Sequence, residues 1–145
     1  MSKIETFLSN SEEQDIIEAI RLAELNTSGE IRVHIEATSN GNANTRALDV
    51  FYSLKMNHTK LQNAVLIYVA IDDKTFVIYG DNGINKCVPE NFWDSTKQVI
   101  EGYFKKGLFK QGLVAGITKC GEQLKHYFPY SALDENELTN EISKG

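Results

Sequence analysis

The spacing of apolar positions changes along the chain, and the changes divide it into strands and helices. Ala64 to Ile71 is an unbroken apolar run rich in Val and Ile, Asp72-Asp73-Lys74 interrupts it, and Thr75 to Tyr79 is a second β-prone run. Runs without polar alternation suit strands covered on both faces, and the short break between them predicts a hairpin. Glu30 to Ala37 behaves differently. Ile31, Val33, Ile35 and Ala37 alternate with Glu30, Arg32, His34 and Glu36, which predicts a strand with one solvated face.

Helical spacing fills the intervals. Two overlapping capping boxes, Ser9 with Glu12 and Ser11 with Gln14, open a helix whose apolar face is Ile16, Ile17, Ile20 and Ala23 and which ends at Asn26-Thr27-Ser28-Gly29. After the polar loop Thr38 to Asn44, the positions Ala47, Leu48, Phe51 and Leu54 predict a second helix to about Met56. A third follows Pro89 through Phe92, Trp93, Thr96, Val99, Ile100, Tyr103 and Phe104, closed by Gly107. The last carries Leu113, Ile117, Cys120, Leu124 and Phe128 as one seam and stops at Pro129. Gly112, Gly116 and Gly121 interrupt that helix at about 1 kcal/mol each relative to Ala, which close approach to a neighbouring element would offset.

Strand, helix and strand in succession imply a right-handed βαβ crossover, so the Glu30 and Ala64 strands are parallel and the Thr75 strand returns antiparallel. The fold class expected is α/β: a small mixed sheet, built from a βαβ crossover plus a hairpin, packed with about four α-helices. Residues 1–145 form one domain in this scheme, with 130–145 an acidic tail.

Charge and composition narrow the function. A net charge of −5 disfavours nonspecific nucleic-acid binding. No run reaches the roughly 18 apolar residues of a membrane span, and the N-terminus has neither an apolar core nor a small-residue cleavage site, so a soluble cytoplasmic protein is expected. Cys87 and Cys120 lack metal or redox spacing and are expected to be reduced packing residues. There is no GxSxG elbow, P-loop or GxGxxG, and the three histidines form no zinc pattern. The lysines of Tyr103 to Lys110 fit a solvated helix end, and His34 with Glu36 fits a solvated strand face.

The topology gathers one set of carboxylates. The start of the first strand (Glu30), the start of the second (Asn63) and the end of the third (Asp81) share one edge of the sheet, with Glu30 and Asp81 about 10 Å apart at the backbone. Hard oxygen ligands suit calcium or magnesium, and Asp81-Asn82-Gly83 combines a carboxylate, an amide and a turn that frees carbonyls. The same tripeptide is also a good turn without any metal. Asp72-Asp73 at the opposite edge fits a hairpin turn and is the alternative site.

The segments GEIRVHI, NAVLIYVAIDDKTFVIYGDNGIN, FWD, GLFKQGLVAGI and HYFPY, followed by DENELTNEIS, resemble the TPM domain family, named from a thylakoid lumen protein, a photosystem repair factor and an accessory protein of nicotinic receptors. The resemblance runs from about Glu12 to Ser143 and implies an α/β sandwich. Plant members are described as phosphatases and as divalent-cation binders, and others act as accessory or repair proteins of membrane complexes. Matching motif positions are Glu30 in SGEIRV, Asp81 in GDNGI and the acids of DENEL, which brings in Asp134 and Glu137. The signal peptide and membrane anchor of many relatives are not found, so the chain resembles the short, soluble bacterial form. The function expected is a non-enzymatic Ca²⁺- or Mg²⁺-binding accessory domain with a protein partner, its ligands drawn from Asp81, Glu30, Asn82, Asn63, Asp134 and Glu137. The alternative is a metal-dependent phosphatase acting on phosphate esters, for which Arg21, Arg32 and Arg46 are too scattered to form an evident clamp.

Overall fold

The computed structural model describes residues 3–130 and 136–145. Helix α1 (Lys3–Phe7) leads into α2 (Asn10–Glu24), and strand β1 (Glu30–Glu36) follows. Next come α3 (Ala43–Ser53), a 3-10 turn at Met56–His58, and the strands β2 (Ala64–Ala70) and β3 (Thr75–Gly80). The short α4 (Asn82–Asn85), α5 (Asp94–Phe104), α6 (Phe109–Tyr127) and a final strand β4 (Ser143–Lys144) complete the order. The described residues thus form six α-helices around a four-stranded sheet, two helices more than the periodicity shows. The extra ones, α1 and α4, have five and four residues, too short for a repeating apolar pattern.

The sheet order is β3-β2-β1-β4, with β1 parallel to β2 and to β4, and β2 antiparallel to β3. The expected crossover and hairpin are both present. Local chemistry sets the element ends. Ser9 Oγ accepts from Glu12 N at 3.1 Å while the Glu12 carboxylate accepts from Ser9 N at 3.0 Å, a capping box at the head of α2. Asn42 caps α3 through Thr45 N at 3.0 Å. That helix ends before Met56 because Lys55 turns into the left-handed region, at φ 57°.

Alternate residues of the strands serve two cores. Ile31, Val33, Ile35, Val65, Ile67, Val69 and Ile78 face α2, α5 and α6. Ala64, Leu66, Tyr68 and Ala70 face α3, whose Ala47, Val50 and Phe51 are buried against them. Burying a side chain such as Phe51 contributes roughly 1.5–3 kcal/mol. The glycines of α6 mark close helix contacts: a Cβ at Gly116 would lie 2.6 Å from Ile100 of α5, and one at Gly121 2.8 Å from Ala23 of α2.

The β1 strand does not have a solvated face. Glu30, His34 and Glu36 are all buried, and Arg32 is half-buried. The causes are α3 and the tail: Arg46 of α3 sits on Glu36, and residues 136–145 lie along β1, where Ser143 and Lys144 pair with His34 and Ile35, Gly145 N donates to Ile35 O at 2.9 Å, and Leu138 packs on the α3-side core. No helix among the described residues is long and apolar enough to cross a membrane.

Candidate functional site

Register places two carboxylates in one row. Glu30 is aligned with Ala64, and Asp81 N donates to Ala64 O at 3.0 Å, so the two acids flank Ala64 from either side, about two strand spacings apart. Side chains along such a row project to the same face, here the face that carries α3. Both are buried, Glu30 at 4% exposure and Asp81 at 2%.

Asp81 does two things with its two oxygens. Oδ1 accepts from Asn82 N at 2.8 Å and caps α4, which replaces the open turn expected at Asp81-Asn82-Gly83. Oδ2 is buried and has no hydrogen-bond partner among the described residues. Glu30 Oε1 accepts from Leu138 N at 2.7 Å, so the tail is fastened to the same edge.

Asn63 is also buried here. Its carbonyl accepts from Glu30 N at 3.3 Å, its N–H is held by Thr59 Oγ1 at 3.3 Å, and its side-chain amide nitrogen reaches Ser28 Oγ at 3.4 Å. Asn82 is exposed at the rim. Glu137 accepts from Lys60 N at 3.2 Å, and Asp134 lies outside the described residues. The irregular segment from Thr59 to Asn63 packs directly beneath Gly83. A Cβ at Gly83 would fall on the carbonyl oxygen of Leu61 and 2.5 Å from that of Gln62. Only glycine permits this approach.

Sequence spacing gave no sign of Glu24. At the end of α2 it accepts from Ile31 N at 3.0 Å, and burial lifts its carboxyl to about 7 despite that bond, with the neighbouring Glu30 charge adding to the rise. Seven residues separate Glu24 from Ile31, so the contact depends on the α2–β1 turn. Among the described residues, no group of three His, Cys, Asp or Glu side chains is arranged to hold a metal. The edge offers two buried carboxylates with amide and carbonyl oxygens around them.

The opposite end of the same face holds a second polar cluster. Glu36 accepts from Arg46 Nε at 2.8 Å and Arg46 Nη2 at 2.9 Å, receives the Tyr68 hydroxyl, and lies 3.0 Å from His34 Nε2. Burial alone would raise the Glu36 carboxyl; the hydrogen bonds from Arg46, Tyr68 and His34 outweigh it and hold the group at about 2. Burial also pushes the His34 imidazole down, and its Nδ1 lies 2.9 Å from Ser143 Oγ of the tail. Asp73 reaches out of the hairpin to the loop after β1, accepting from Ser39 N and Oγ, each at 2.8 Å, and from Thr38 Oγ1 at 2.9 Å, in place of the local turn hydrogen bonds expected of it.

A family model described as the TPM domain matches residues 2–123. The chain belongs to the TPM domain family. This TPM domain is similar to the BA42 protein of the psychrophilic bacterium Bizionia argentinensis, whose NMR structure is 61% identical in sequence, covers 100% of both chains and superposes with a TM-score of 0.94. The N-terminal domain of a P. gingivalis protein matches at 17% identity and TM-score 0.69, over 84% of this chain and 79% of the other. The N-terminal domain of the cg2496 protein of Corynebacterium glutamicum matches at 14% identity and TM-score 0.66, over 90% and 82%. The last two share the fold. No curated protein matches this TPM domain.

Proposed function

We propose that this TPM domain binds a divalent cation, Ca²⁺ or Mg²⁺, at the Glu30/Asp81 end of its sheet and works as a non-enzymatic accessory module for a protein partner. The observation that carries this reading is Asp81 Oδ2, buried and without a hydrogen-bond partner among the described residues. An uncompensated carboxylate oxygen in such a place is costly, and a hard cation relieves the cost. Asp81 and Glu30 would supply the charge, and Asn63 and Asn82 are the neutral candidates beside them. The arrangement falls short of a complete cage, so water and backbone carbonyls of the Thr59 to Asn63 segment would fill the six to eight positions that calcium prefers.

A binding role fits the placement of the arginines better than phosphoester hydrolysis does. Arg46 is committed to Glu36 at the far end of the sheet, Arg21 pairs with the exposed Glu18, and Arg32 Nε contacts Glu141 O at 3.5 Å. An amide chemical-shift titration with Ca²⁺ and with Mg²⁺ tests the proposal. Shifts should centre on Glu30, Asn63 and Asp81 to Gly83. Shifts centred on Asp72 and Asp73, or none at millimolar ion, would overturn it. Turnover of a generic phosphate ester that needs Mg²⁺ and disappears in Asp81→Asn would favour the hydrolase instead.

A further inference from the structure

The two edges of the sheet are treated differently. The outer edge of β1 is covered by the tail, whose β4 pairs with it. No described residue pairs with the outer edge of β3. The parity of its ladder follows from Asp81 N donating to Ala64 O: odd-numbered residues bond to β2, and even-numbered ones turn their N–H and C=O outward. Gly80 obeys this, since its outward carbonyl accepts from Asn85 Nδ2 at 3.1 Å. Phe76 and Ile78 are left with outward backbone groups that meet no other element among the described residues.

Edge strands are ordinarily blunted by a charge, a proline, a bulge or a covering segment. Residues Thr75 to Gly80, TFVIYG, contain none of the first two, and their register with β2 is unbroken. A groove of about 930 Å³ runs beside the Thr75 to Ile78 part of the strand. Its wall is aromatic, with Phe76 5.5 Å from Phe104 and Phe104 5.3 Å from Phe109 between ring centres. Lys74, Lys97 and Lys105 stand exposed around it and make no ion pair with any described residue, and Glu101 is the single acid among the described residues that line the groove. This cationic rim belongs to a chain whose net charge is −5.

We infer that the β3 edge and its groove dock an extended segment of a partner protein, apolar at its centre and acidic at its flanks, which adds to the sheet as a fifth strand. Outward amides and carbonyls at Phe76 and Ile78 supply the pairing, the aromatic wall takes the apolar side chains, and the lysines meet the carboxylates. The tail on β1 shows that this sheet accepts an extended segment at an edge. The inference is independent of cation binding.

The probe is a short acetylated peptide with a Val-Thr centre between pairs of Glu, titrated into the ¹⁵N-labelled full chain. Shifts should centre on residues 74–78 and on the groove side of α5. The same peptide N-methylated at alternate residues, which keeps its side chains and removes its pairing donors, should bind at least about tenfold more weakly. Reversing Lys97 and Lys105 to Glu should weaken the unmodified peptide by about tenfold or more without altering the fold. Equal binding by the N-methylated peptide, equal binding by the reversed variant, or shifts centred on β1 would overturn the inference. A dimer in sedimentation that the peptide dissociates would assign the edge to a second copy and would overturn it too.

Discussion

Replacing Glu36 with Gln keeps the shape of the side chain and removes the charge on which Arg46, Tyr68 and His34 converge. The wild-type carboxyl is held at about 2 against an ordinary 4.5. At 1.36 kcal/mol per pH unit this corresponds to about 3 kcal/mol of stability. The Arg46 side chain is 41% exposed, and screening by the surrounding water reduces the figure to about 2 kcal/mol. The sign follows from proton counts. Folding lowers the pKa, so the contribution is complete above the unfolded value of 4.5 and is lost as pH falls through about 2. Urea denaturation of both proteins at pH 7 should therefore show the variant less stable by about 2 kcal/mol, equivalent to about 4–8 °C in Tm. The difference should narrow steadily as the pH is lowered below about 4.5, because Gln does not titrate. A gap of the same size at pH 7 and at pH 3 would refute the reasoning, since it would mean that the amide disturbs packing and that the charge of Glu36 stabilises nothing.

Gly83→Ala should destabilise the protein by more than about 2 kcal/mol, because the new Cβ meets the backbone carbonyls of Leu61 and Gln62, which cannot rotate away; urea denaturation measures it. Cys87 is exposed and should react with a thiol reagent in the native state, whereas Cys120 is buried, with its thiol pKa raised by burial, and should react only at the rate of unfolding.

The hairpin and the crossover were legible because the apolar runs at Ala64 to Ile71 and Thr75 to Tyr79 need cover on both faces and because a helix separates two strands. The row that brings Glu30 level with Asp81 follows from that topology alone. What sequence spacing misplaced was the far side of β1. Glu30, Arg32, His34 and Glu36 have the alternation of a solvated face, yet α3 and the tail cover it, and their charges are satisfied by groups distant in the chain: Arg46, Tyr68, Ser143 and Leu138. No local period encodes such pairings. The tail reads only as an acidic segment, free to pack back or not, and its contacts with Arg32, Lys60 N and the β1 edge show where residues 136–145 rest. Glu24 escaped notice for the same reason, since its place beside Glu30 depends on how the chain turns between α2 and β1.

Thermal unfolding with and without Ca²⁺, run in parallel on the wild type and on Asp81→Asn, tests the proposed cation site most directly. The substitution leaves an oxygen to cap Asn82 N, so the fold should persist while the buried charge is removed. In the wild type, a free ion concentration 100-fold above the dissociation constant should add about 2.7 kcal/mol of stability. In the variant that gain should vanish. An equal rise in Tm for both proteins would contradict the account and would send the cation elsewhere, with Asp72 and Asp73 at the hairpin the next place to look.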